Sequence, residues 1–162
     1  MSKLHTNKRK ALYAGSFDPF TNGHLSIAEK GAELFDEVII GIAENSNKKR
    51  TTDIHEMADA IREQFRYYDN VSVAIIDGLV ANYCAKNDIC YLIRGLRNTS
   101  DYLYEENIAK INAEINPNLR TIYFRADNDV ISSSMIRELN AYGMKVDKFI
   151  PEKIHNHFYK GE

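Results

Sequence analysis

The chain has 162 residues, 44% of them apolar and 27% charged, with a formal net charge of -2. That length suits one domain with one core, and the composition excludes a disordered or fibrous protein. The near-neutral charge gives no non-specific attraction to nucleic acid or anionic lipid, and no apolar run approaches the ~20 residues that cross a bilayer, so neither partner is expected.

The opening MSKLHTNKRK is basic and polar without an apolar stretch, and does not read as a signal peptide. Residues 1–9 are expected to be a disordered lead-in and residues 10–162 a single domain. Lys10–Ala14 reads as a first strand running into Gly15, and Leu25, Ala28, Ala32 and Phe35 recur at helical spacing, which predicts a helix from His24 to Phe35. Glu37–Ala43 is an almost continuous apolar run, as a strand buried on both faces should be. A polar loop follows, then a helix over Ile54–Tyr67, a strand over Val71–Ile76, a short helix over Leu79–Lys86 and a strand over Cys90–Arg94. Tyr104, Ile108, Ile111 and Ile115 line one face of the next helix, Leu119–Phe124 is a last strand, and Ser132–Tyr142 is a helix closed by Gly143. Pro151 opens the final helix at its first position. Five strands separated by helices predict an α/β fold: a Rossmann-like, doubly wound parallel sheet with helices on both faces.

In such a sheet ligands bind beyond the carboxyl ends of the strands, and four of those loops hold unusual residues. The first, Gly15–His24, ends at a helix start, where free N–H groups favour an anion. His24 can aim an imidazole there, Ser16 can donate a hydroxyl, and Gly15 and Gly23 allow unusual backbone and close approach. The loop is neither GxxxxGK[ST] nor GxGxxG. The second holds Arg94 and Arg97 either side of a sharp turn at Gly95, two guanidiniums whose forks match phosphate oxygens. Asp101 and Glu105 share a face of the helix that follows. In the third, Ser132 is a candidate N-cap, and Ser132, Ser133 and Ser134 together suggest a second anion site. The fourth carries the basic triplet Lys48-Lys49-Arg50, which by itself reads as a solvated loop. Cys84 and Cys90 match no metal pattern and are expected to be reduced, partly buried thiols in a cytoplasmic protein. His155 and His157 have no third ligand nearby and read as a solvated face.

The run GSFDPFTNGH at Gly15–His24 resembles the signature of the HxGH nucleotidyltransferases. Many members have a further histidine where this chain has Thr21, and T-x-G-H is the form typical of the phosphopantetheine adenylyltransferase family. Arg94–Glu105 is similar to that family's RGLRxxxDxxYE pattern, and Ile131–Arg137 to the ISSTxIR motif of the superfamily. The resemblance spans Lys10 to Phe158. It implies transfer of the adenylyl group of ATP to 4′-phosphopantetheine, giving dephospho-coenzyme A and pyrophosphate, by a homohexamer. It implies catalytic roles for His24 and Lys48, with Lys49 as the alternative to Lys48. It implies ATP contacts from Ser16, Phe17, His24, Gly95, Leu96, Arg97, Glu105, Asn128, Asp129, Val130, Ile131 and Ser132–Ser134. The acceptor would meet Ser16, Lys48, Val80 and Arg94. Mg²⁺ is expected on the phosphates, held by water and nucleotide oxygens, because no carboxylate cage is visible and no residue is assigned as a metal ligand.

Three departures from the family are visible. Ser16 stands for the commoner threonine and keeps the hydroxyl. Asn128-Asp129-Val130 stands where an aromatic residue and a Ser-Phe pair usually flank the adenine. Asp53–Met57 lacks the usual Glu-Arg pair. Other nucleotidyltransferases on this scaffold, acting on glycerol phosphate or a mononucleotide, are disfavoured by Thr21 and the RGLR segment. A non-catalytic nucleotide-binding protein remains a different reading.

Overall fold

A computed structural model describes residues 8–44, 46–127 and 131–159. The five strands expected from apolar runs are realised as β1 (Lys10–Gly15), β2 (Glu37–Ala43), β3 (Val71–Ile76), β4 (Tyr91–Leu96) and β5 (Arg120–Arg125). All pair in parallel, in the order β3-β2-β1-β4-β5. After β3 the chain crosses to the other side of β1, so the switch point lies between β1 and β4, where a crevice opens at the carboxyl ends of the strands.

The period-2 alternation of the strands sorts the core into two layers. Ala11, Tyr13, Val38, Ile40, Ile42 and Ile93 point to one face, packed with Ile27 and Ala28 of α1 (Asn22–Leu34) and Met57 and Ile61 of α2 (Ile54–Gln64). Leu12, Ala14, Ile39 and Leu92 point to the other, packed with Ala81 and Cys84 of α3 (Val80–Lys86). Burying a side chain such as Leu12 or Ile40, both 0% exposed, is worth about 1.5–3 kcal/mol. Gly41 in β2 is fixed by packing: a Cβ there would come within 2.4 Å of Ile76 Cδ1 and 2.8 Å of Leu12 Cδ1. A third, smaller cluster joins Ile136 of α5 (Ser133–Ala141) to Val146 and Ile150, which flank the 3-10 turn η1 (Asp147–Phe149).

Several expectations are corrected. β4 runs through Gly95 to Leu96, with Gly95 paired to Phe124, so there is no sharp turn between Arg94 and Arg97. Its missing side chain instead makes room for Ile27, whose Cγ1 would lie 3.3 Å from a Cβ. The helix α4 (Thr99–Ile115) does not bury its apolar face: Tyr104 is 66%, Ile111 61% and Ile115 38% exposed, and Glu105 is its one buried residue among those described. The spacing showed amphipathy but not what covers it. Helix α2 ends at Gln64, short of Tyr67. Pro151 is the N-cap of α6 (Glu152–Phe158) and not its first residue. Cys84 is buried but Cys90 is exposed. Ser132 does cap α5, accepting from Met135 N–H at 3.3 Å, and Gly143 follows it with φ of 72°.

Candidate active site

A cavity of about 440 Å³ opens at the switch point, between the ends of β1 and β4 and the start of α5. It is lined by Ser16, Phe17, His24, Lys48, Arg94, Gly95, Arg97, Glu105, Ile131 and Ser132–Ser134, so loops distant in sequence converge on it. Val80 and Leu96 stand outside its described lining; Val80 packs on the core beneath α3. Asn128, Asp129 and Val130 lie outside the described residues. Four basic side chains, Lys48, Arg94, Arg97 and Arg137, face two carboxylates, Asp101 and Glu105, and both carboxylates are paired. The remaining positive charge makes this a site for a polyanion.

The loop Gly15–Thr21 is built from its own aromatic residues. Phe17 adopts φ of 45°, in the left-handed region, at a cost of about 1–2 kcal/mol. Its ring is 1% exposed and packs on Tyr13 at 5.2 Å and Phe20 at 5.2 Å, a burial worth enough to offset that cost. Neither Gly15 nor Gly23 is left-handed among the described residues; Gly15 is required because a Cβ would lie 2.9 Å from the Phe17 ring. The peptide bond between Asp18 and Pro19 is cis. Asp18 is 5% exposed and accepts four hydrogen bonds, from the hydroxyls and backbone N–H groups of Thr51 and Thr52. Burial pushes its carboxyl up, but those bonds together outweigh it and hold the group below the usual carboxylate range.

His24 is oriented by a reciprocal cap on α1. Its backbone N–H donates to Thr21 Oγ1 at 3.2 Å, and its ring Nδ1 accepts from Thr21 N–H at 3.0 Å. Because Nδ1 accepts, the neutral ring carries its proton on Nε2. Phe17 and Phe20 wall the imidazole at ring distances of 5.0 and 5.5 Å. Burial first, then the charges of Arg97 and Arg94, push its pKa down to about 3. His24 is therefore a neutral hydrogen-bond donor at neutral pH, suited to an oxygen on which negative charge grows.

The two arginines are held differently. Arg94 gives Nε–H and Nη2–H to the two oxygens of Glu105 at 2.8 and 2.6 Å, and Nη1–H to the carbonyl of Ala14 at 2.6 Å. One hydrogen on each Nη is left for a ligand. Burial opposes the charge on Arg94, and the Glu105 carboxylate more than restores it, raising its pKa above the ordinary arginine value. Glu105 thus meets Arg94 directly. Arg97 is more exposed and donates Nε–H to Asp101 at 3.1 Å.

On the opposite wall, Ser133 Oγ donates to the carbonyl of Pro19 at 2.8 Å, and Arg137 Nη1 donates to that of Asp18 at 2.6 Å. Ser132 and Ser134 share a hydrogen bond of 2.8 Å. Tyr13, Thr21, Asp101 and Arg137 also line the cavity and are not among the expected contacts. Thr21 and Asp101 stand in the motifs themselves, and their spacings, three residues from His24 as in a helix cap and four from Arg97, are the signals that point to them as partners.

The Cytidylyltransferase-like family matches residues 12–139. Phosphopantetheine adenylyltransferase of Syntrophomonas wolfei subsp. wolfei is 41% identical over 143 residues, covering 87% of this chain and 89% of its own. The protein of that name from Carboxydothermus hydrogenoformans is 40% identical over 148 residues, 90% of this chain and 91% of its own. That from Shouchella clausii is 36% identical over 148 residues, with coverage of 90% and 93%.

Proposed function

The chain belongs to the phosphopantetheine adenylyltransferases of the cytidylyltransferase-like family, and from that premise we infer that it transfers the adenylyl group of ATP to 4′-phosphopantetheine. The acceptor's phosphate oxygen attacks the α-phosphorus, the α–β phosphoanhydride bond breaks, and dephospho-coenzyme A and pyrophosphate leave. The attacking phosphate is already an anion, so no protein nucleophile or strong base is needed. Catalysis is positioning plus charge stabilisation.

The observation that carries this reading is the neutral His24, capped at Nδ1 and set beside two arginines in a cationic cavity. His24 donates from Nε2–H to the α-phosphate as its charge rises, with Lys48 beside it. Ser16, Arg97 and the start of α5 hold the triphosphate. Arg94, braced by Glu105, takes the acceptor phosphate. Phe17, Gly95, Leu96, Ile131 and the segment Asn128–Val130 complete the nucleotide site, and Val80 the acceptor site, on the strength of the family resemblance alone.

Mg²⁺ fits as the counter-ion of the nucleotide. Among the described residues no three His, Cys, Asp or Glu side chains gather for a metal, and the cavity's carboxylates are committed to arginines. The ion would be held by phosphate oxygens and water and would neutralise triphosphate charge. A homohexamer accords with the exposed apolar face of α4, the number six resting on the family. A cytoplasmic location accords with two free thiols. Among the described residues no helix is long and apolar enough to cross a membrane.

A pyrophosphate-release panel tests the reading, with ATP or CTP crossed against 4′-phosphopantetheine, glycerol phosphate and nicotinamide mononucleotide. ATP with 4′-phosphopantetheine should be the productive pair. Turnover with another pair, or with none, would overturn it.

A further inference from the structure

Lys48 lies in the exposed loop between β2 and α2, and its side chain lines the cavity. One end of that loop is fixed where Ala43 of β2 pairs with Ile76. The other end is fixed just past Lys48. Thr51 Oγ1 and Thr52 Oγ1 donate to Asp18 Oδ1 at 2.9 and 2.7 Å, and their backbone N–H groups donate to Asp18 Oδ2 at 2.9 Å and Oδ1 at 3.0 Å. Arg50 adds Nη1–H to the carbonyl of Ser16 at 2.6 Å and Nε–H to that of Thr52 at 3.1 Å, with its guanidinium 4.0 Å from Asp18.

Asp18 and Ser16 belong to the loop that leads into the cap of His24. We propose that Asp18 and the Thr51–Thr52 pair form a latch that sets the reach of Lys48 into the cavity, so that Thr51 and Thr52 are positioning residues for the transfer. The chain from Lys48 to Thr51 spans at most about 11 Å when extended. A shift at the latch is therefore only a short tether away from Lys48, and misplacement of about 1 Å at a reacting centre can cost up to about 10²-fold in rate. A buried carboxylate makes a strong anchor, because releasing it would leave a charge without partners. The inference rests on the role of Lys48 in the proposed function.

The test is a kinetic cycle on the full-length enzyme, with Lys48→Ala, the pair Thr51→Val/Thr52→Val, and all three changes together. The valines remove both hydroxyl bonds and keep both backbone bonds to Asp18. The pair should lower kcat about ten-fold with KM for ATP changed less than about two-fold. Lys48→Ala should cost far less in that background than in the wild type. Thr51→Ser/Thr52→Ser should restore kcat. If the valine pair does not fold, Thr52→Val alone carries the same cycle. Lys48→Ala harmful while the valine variant turns over normally, or costs that simply multiply, would overturn the latch alone. An undiminished kcat in Lys48→Ala would overturn the role of Lys48 and the latch with it.

Discussion

The proton on the His24 ring is placed by Thr21, through a helix cap that leaves Nε2 as the donor. The arginines divide their work between structure and ligand to different degrees. Arg94→Ala leaves the Glu105 carboxylate, 8% exposed, without its partner. It should cost about 3–5 kcal/mol of stability as well as raising KM for the acceptor. Arg97→Ala breaks a partly exposed pair. It should cost under about 1 kcal/mol and mainly raise KM for ATP. Chemical denaturation and steady-state kinetics on both variants check this. Equal stabilities, or a rise in KM for ATP alone in both, would refute the division. Sequence shows that both guanidiniums are suited to phosphate but not which is anchored, because Asp101 and Glu105 share one helix face and only the docking of α4 on β4 decides which carboxylate meets which arginine.

At the scale of the element, the strands were legible because both faces of a central parallel strand are apolar. Glu37–Ala43 is such a run and is β2 to the residue. The end of β4 was misread because Gly95 suggested a turn, whereas pairing with β5 carries the strand two residues further. Helix α4 shows the limit of periodicity. Its apolar stripe is real, yet Tyr104 is 66% and Ile111 61% exposed in a single chain, and the neighbouring Leu103 is 62% exposed. Monomers seldom leave large contiguous apolar patches in water. Sedimentation should give a mass several times the 18.6 kDa of one chain, and Leu103→Glu with Ile111→Glu should shift it towards the single chain. A wild-type mass near one chain at micromolar concentration would contradict the assembly.

At the scale of the whole molecule, His24 and Asp18 are two of the groups that make stability depend on acid. His24 has its pKa lowered to about 3 by burial and nearby arginines. The unfolded chain takes up a proton below the ordinary histidine value of about 6.5 while the folded chain does not, so stability falls as pH drops through that range. Asp18 is depressed below its ordinary value of 3.8. Its contribution is fully present above that value and is lost as pH falls through the lower, folded one. Thermal midpoints should therefore decline from about pH 6.5, less steeply in His24→Ala, with a further fall below about pH 4 that Asp18→Asn lessens. Identical slopes in all three proteins would contradict both assignments. The central claim, adenylyl transfer driven by a neutral donor at the α-phosphate, is tested most directly by kcat for 4′-phosphopantetheine-dependent pyrophosphate release in wild type and folded His24→Ala. A loss of about 10²–10³-fold or more is the predicted result, and near-normal turnover in the folded variant would contradict it.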